Sequence, residues 1–153
     1  MAEAYLVVLS TVAPTHICVK TALAYAYQQL QRTDEAVALA RAAHAAATEP
    51  ATRTDRMMSA NLLSRLLRDS GRYAESEIFA RDALEIATEI NDLLIVAEAQ
   101  EQLGELSIAR GELGKGREQL NFALRYYSSF CPSGEARVSN RLLDLERTPP
   151  SNS

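Results

Sequence analysis

Residues 60–84 read ANLLSRLLRDSGRYAESEIFARDAL, and residues 100–124 read QEQLGELSIARGELGKGREQLNFAL. Laid over each other at a spacing of 40 residues, they place Leu63 on Leu103, Gly71 on Gly111 and Ala83 on Ala123. Residues 20–44 join the same register. Leu23, Ala24, Ala40 and Ala43 answer Leu63, Ser64, Ala80 and Ala83, and then Leu103, Gly104, Leu120 and Ala123. A self-similar period of this size marks a stacked repeat array, because one such unit cannot bury its own apolar face without a neighbour. The fold class expected is therefore all-α, with the job of holding another chain.

Each unit reads as two amphipathic helices joined by a short turn. In the middle unit the first helix is predicted over 51–70, with Met58, Leu62, Leu63, Leu66 and Leu67 at helical spacing. Gly71 follows in the slot where a positive φ ends a helix cheaply. The second helix is predicted over 73–90, burying Ile78, Phe79, Ala83, Leu84 and Ile86. Asn91-Asp92 then breaks the chain and caps the next helix. The third unit repeats this over 93–110 and 113–130 around Gly111, and Cys131-Pro132-Ser133-Gly134 ends it. The first unit, 16–30 and 34–47, has Gln31 where the later turns have glycine, and Thr33-Asp34 as its cap.

A last helix over 135–145, with Val138, Leu142, Leu143 and Leu145 on one side, reads as a terminal cap. The domain organisation expected is one repeat domain over 1–146, with units at 16–50, 51–91 and 92–132, a cap at 135–146, and a disordered tail at 147–153. Residues 2–11 set Leu6 opposite Ala46 and Ile86, like the end of a second helix, but Glu3 stands where Ala43, Ala83 and Ala123 stand. An N-terminal cap and the remnant of a longer array are both open readings.

The 153 residues are 47% hydrophobic and 24% charged, which is globular composition, long enough for one domain with a core. A net charge of −4 without a basic run argues against a nucleic-acid partner. Two cysteines, Cys18 and Cys131, give neither a disulfide framework nor a paired metal spacing, and both read as small buried hydrophobes. The apolar run from Ala4 to Leu9 follows Glu3 rather than a basic flank and is far shorter than the ~20 residues that span a bilayer. The expected setting is cytoplasmic, with no membrane partner.

The spacing of Leu103-Gly104, Gly111 and Ala123 resembles the tetratricopeptide repeat, as does Gly71-Arg72-Tyr73-Ala74-Glu75 followed by Phe79-Ala80-Arg81-Asp82-Ala83-Leu84. The resemblance covers about residues 16–146. It implies a right-handed superhelix of three helix-turn-helix repeats with a C-terminal capping helix. Small residues are wanted where the helices of a unit cross, and the corresponding places hold Ala24, Ala36 and Ala43, then Ser64, Ser76 and Ala83, then Gly104, Gly116 and Ala123. The chain departs from the family pattern at Lys20, Ala60 and Gln100, where a large aromatic is expected, and it lacks the helix-ending proline. Its long period is similar to that of kinesin light chains, Pins-type adaptors and sensor modules of bacterial transcription regulators.

By the family's geometry the first helix of each pair lines a concave groove. The resemblance puts Cys18, Thr21, Tyr25 and Gln28, then Asn61, Arg65 and Arg68, then Glu98, Glu101 and Glu105, and finally Arg141 along it. Residues 51–70 hold four Arg against two Asp, whereas 92–110 hold Asp92, Glu98, Glu101 and Glu105 against Arg110. A cationic band beside an anionic one would orient a peptide or helix of mixed charge. The competing reading pairs Arg65 and Arg68 with Glu101 and Glu105 across adjacent helices, for ~0–1 kcal/mol each. Groove positions that grip a chaperone C-terminal carboxylate in some relatives hold Thr21, Tyr25, Leu62, Glu98 and Gln102 here, which argues against that role.

No metal site, cofactor or catalytic residue is expected. His16 and His44 lie on different helices without ligands at metal spacing, and no nucleophile elbow, phosphate loop or His-Glu-x-x-His occurs. Glu101 and Glu105, one turn apart, fit a solvated or groove-lining face better than acid–base chemistry. Tyr126, Tyr127 and Phe130 read either as packing against the capping helix or as an exposed docking patch. The function expected is a non-catalytic adaptor or scaffold. The alternatives are a peptide- or ligand-sensing domain of a larger transcription regulator, and a homo-oligomer formed through Leu6, Val7 and Leu9.

Overall fold

A computed structural model describes residues 16–147. Helices α1 (Ile17–Gln29) and α2 (Thr33–Ala46) form the first pair, α3 (Arg53–Asp69) and α4 (Tyr73–Ile90) the second, and α5 (Leu93–Ala109) and α6 (Leu113–Phe130) the third. Helix α7 (Pro132–Arg147) closes the array, and a 3₁₀ turn at Pro50–Thr52 precedes α3. Each helix packs on the next, while α3 also touches α1 and α5. The result is an all-α helical-repeat superhelix. The helix-end reading of residues 2–11, self-assembly through Leu6, Val7 and Leu9, and the tail from residue 148 onward lie outside the described residues.

One turn is built four times. Gly71 and Gly111 have φ of 76° and 82° at the intra-pair turns, and Gln31 takes 61° at the first of them. Asn91, with φ of 58°, turns the chain between the second and third pairs. In each case the next residue's N–H reaches five residues back: Arg32 to Tyr27, Arg72 to Leu67, Asp92 to Ala87 and Glu112 to Ser107, at 2.8 to 2.9 Å. These bonds satisfy carbonyls that a helix end would otherwise leave without partners. Asp92 also accepts from the Ile95 N–H at 3.1 Å, which is the cap read from the sequence. Thr33-Asp34 does not cap α2; Arg32 holds that position, with no side-chain cap bond.

The small residues at the crossings are all buried: Ala24, Ala36, Ala43, Ser64, Ser76, Ala83, Gly104, Gly116 and Ala123. The second pair hides two hydroxyls there, and both are satisfied. Ser76 Oγ donates to the Ser64 carbonyl at 2.7 Å, and the two Oγ atoms lie 3.2 Å apart. The third pair crosses at two glycines. A Cβ on Gly116 would stand 2.5 Å from Ile108 Cγ1 and 2.9 Å from the Gly104 carbonyl oxygen.

Several expected core positions are corrected. Ile78, expected inside, is 65% exposed, because α4 turns that side to solvent while Phe79, Ala83 and Ile86 face its neighbours. Met57 rather than Met58 is fully buried, and Leu143 of α7 is 48% exposed. Cys18 is exposed and Cys131 only half-buried, so neither is the core hydrophobe expected. Helix α7 starts at Pro132, three residues before the expected start, so Gly134 belongs to the helix rather than to a loop. Its lack of a side chain lets α7 lie against the Tyr127 ring, where a Cβ would come within 2.7 Å of Cγ.

On the other side of the array, ion pairs run both within the second pair and between it and the first. Asp82 of α4 accepts from both Arg56 nitrogens at 3.1 Å and from His44 Nε2 at 2.7 Å, while Arg41 pairs with Glu75 and Arg53 with Glu89. Burial alone raises the Asp82 pKa, but the Arg56 and His44 bonds outweigh it and hold the carboxyl below its ordinary range. Glu77 is held low by Arg81 and Arg110, and Glu75 by Arg41 and Arg72. A carboxyl with a depressed folded pKa binds fewer protons folded than unfolded, so its contribution is complete above the unfolded value and is lost as pH falls through the folded one. Thermal melts should therefore be level from pH 7 to about 5 and decline below about 4.5, near the ordinary carboxylate range. Asp82→Asn should melt lower at pH 7 and decline less steeply in acid. An unchanged acid slope would remove Asp82 from this account.

Candidate functional site: the groove of the first helices

The sequence period places residues 21, 61, 101 and 141 at one height on α1, α3, α5 and α7, and the side chains around them meet. Arg65 Nη2 donates to Gln28 Oε1 at 3.2 Å, and its guanidinium carbon lies 5.6 Å from the centre of the Tyr25 ring. Asn61, buried to 1% exposure, donates from Nδ2 to Glu98 Oε2 at 2.6 Å. Arg68 donates to Gln102 Oε1 at 2.7 Å and to its neighbour Asp69 at 2.8 Å. Thr21 is buried, with its hydroxyl returned to the Ile17 carbonyl at 3.2 Å, and so presents no group to the groove.

The two acidic positions of α5 are occupied from α7. Arg137 grips Glu101 with two bonds, Nε to Oε1 at 2.6 Å and Nη2 to Oε2 at 2.7 Å, and the Tyr127 hydroxyl donates to Oε2 at 2.8 Å. Arg141 Nε donates to both oxygens of Glu105 at 2.9 and 3.0 Å. The cross-pairing of Arg65 and Arg68 with Glu101 and Glu105 is therefore replaced by partners one helix further along. Glu101 is only 9% exposed, which makes it a strut between α5, α6 and α7. Burial, with Glu101 as a second cause, pushes the Tyr127 phenol well above its ordinary pKa, so it stays a donor. The Glu101 bonds raise Arg137 in turn.

Arg137 is the groove residue that sequence reasoning missed. Its signal was present: Glu101 and Arg137 are 36 residues apart, as are Glu105 and Arg141. Two recesses follow from this layout. One, of about 230 Å³, is lined by Arg65, Arg68, Glu98, Glu101, Gln102 and Arg137. The other, of about 390 Å³, lies between α5 and α7 beside Glu105, Asn140, Arg141 and Asp144. Among the described residues, two buried polar atoms at the first end have no hydrogen-bond partner, Asn61 Oδ1 and Arg65 Nε.

The aromatic cluster divides. Tyr127 is 1% exposed and packs under α7, whereas Phe130 is 71% exposed, with Tyr126 at 5.2 Å between ring centres. Among the described residues no group of three or more His, Cys, Asp or Glu side chains could hold a metal ion. Nor is any described helix long and apolar enough to cross a membrane.

Paired helices stacked around a polar groove define a helical-repeat interaction module. The family model of the tetratricopeptide repeat matches residues 15–89, and that part of the chain belongs to the tetratricopeptide repeat family. Helices α5 to α7 lie beyond the match and continue the same packing. Tetratricopeptide repeats mediate protein–protein interaction and are typically non-catalytic. No curated protein matches the chain.

Proposed function

We propose that this chain is a non-catalytic adaptor, working in the cytoplasm, that holds a segment of another protein in the groove of α1, α3, α5 and α7. The observation that carries the reading is the row of polar side chains drawn from four helices onto one recessed face, with Tyr25, Gln28, Arg65 and Arg68 at one end and Arg141 at the other. Such a row presents hydrogen-bonding groups along a line, which suits an extended or helical segment better than a compact small molecule. In the groove, Glu101 and Glu105 keep Arg137 and Arg141 in place, so their first role is to set its shape.

Affinity capture from the native extract tests this, comparing wild type with Arg65→Glu/Arg68→Glu and with Arg81→Glu on the opposite side. A protein retained by wild type and Arg81→Glu but lost from the double variant, with equal melting of all three, is the expected result. Equal retention by all three would move the site out of the groove.

A further inference from the structure

We propose that the α1–α3 end of the groove takes an acidic side chain of the bound segment onto Arg65. This rests on the groove reading above and names the chemistry of its ligand. Two of the three groove carboxylates of α5 are already neutralised within the chain, since Glu101 holds Arg137 at 2.6 and 2.7 Å and Glu105 holds Arg141, while the third, Glu98, is bonded by the Asn61 amide. A basic ligand residue would have to displace one of these guanidinium groups to gain Glu101 or Glu105, and such an exchange returns little. Arg68 is likewise supplied with a carboxylate by Asp69 at 2.8 Å.

Arg65 differs. Its partners are neutral: the Gln28 amide oxygen at 3.2 Å and the Tyr25 ring. Its Nε–H is buried with no acceptor among the described residues. A guanidinium carries five donors, and a carboxylate forms shorter and stronger bonds to it than an amide oxygen does. Glu98 also lines this recess, but its carboxylate is turned to Asn61 Nδ2 at 2.6 Å and contributes to the raised pKa of Arg137. An incoming anion is repelled from that side. On Arg65 it takes the place of the Gln28 amide oxygen at Nη2. Tyr25 is half-buried, and burial, with the Glu98 charge adding to it against Arg65, holds its phenol above the ordinary pKa, so it remains a neutral wall.

The probes are three pools of short labelled peptides, randomised except for a central Glu, Lys or Gln, with binding read by fluorescence polarisation. The Glu pool should bind wild type most tightly. Its binding should weaken about tenfold or more on Arg65→Gln, a loss of about 1.4 kcal/mol, and stay within about twofold on Arg81→Gln. Gln28→Glu is the decisive variant. It supplies the carboxylate from inside, so it should melt no lower than wild type and still lose the Glu pool by about tenfold. A preference for the Lys pool, or Glu-pool binding unchanged by Arg65→Gln and Gln28→Glu, would overturn the inference. If the pools bind alike but are lost on Arg65→Glu/Arg68→Glu, the inference fails and the groove reading stands. Failure of every pool to bind, together with capture indifferent to that double variant, removes both.

Discussion

Gly116→Ala lowers the stability of the array even though alanine is the better helix former. The intrinsic preference favours alanine by up to about 1 kcal/mol in a helix interior. Against it stands the crossing of α5 and α6, where the new Cβ would lie 2.5 Å from Ile108 Cγ1 and 2.9 Å from the Gly104 carbonyl oxygen. The isoleucine can rotate, but the carbonyl belongs to the helix backbone, so the two helices must separate. Overpacking of this kind costs about 1–3 kcal/mol, and the net loss expected is about 1–2 kcal/mol. Gly114, two residues earlier, has nothing within 4 Å of its Cβ position and an ordinary φ. Gly114→Ala, in the first turn of α6, should therefore raise stability, by less than the roughly 1 kcal/mol of a helix interior. Urea titrations of the two variants read the contrast directly. Equal midpoints would mean that the crossing is not closely packed.

Tyr127→Ala is the second large effect, with a loss of about 3–5 kcal/mol, as for other large aromatics removed from a core. The ring is 1% exposed, sits against Gly134, and packs with Val138 and Leu145 of α7. Its hydroxyl also supports Glu101, which keeps its Arg137 bonds when that hydroxyl alone is removed. Tyr127→Phe should accordingly cost about 1 kcal/mol. Hydrogen exchange distinguishes this from general loosening: in Tyr127→Ala the amides of α7 should exchange faster while those of α3 change least. Uniform acceleration along the chain would show that α7 is not a separately docked cap.

What the sequence made legible was whatever repeats. Gly71 and Gly111, the small residues at the crossings and the ends of α4 and α6 all follow from register, because the same backbone problem is solved at the same place in each unit. Gln31 shows the limit, since the turn survives with a residue that gives no composition signal. Ile78 was misplaced because apolar spacing on a helix cannot say which of two adjacent stripes faces the neighbour. The groove positions come together as the register implied, but their partners did not follow from charge balance. Each arginine takes the acceptor that lies within reach of its own helix height. That fact depends on helix offsets of a few ångströms, which no linear count of charges contains.

One feature of the hydrogen bonds reaches beyond stability. The side-chain bond from His44 to Asp82 spans 38 residues, less than one period. Among the described residues packing runs between neighbouring helices, the arrangement of a coil spring. Pitch is its soft coordinate, and each inter-unit joint contributes a small, independent compliance. A segment lying across α1 to α7 would act as a ruler along that spring, fixing its extension. Tension applied at the two ends would in turn alter how well such a segment fits.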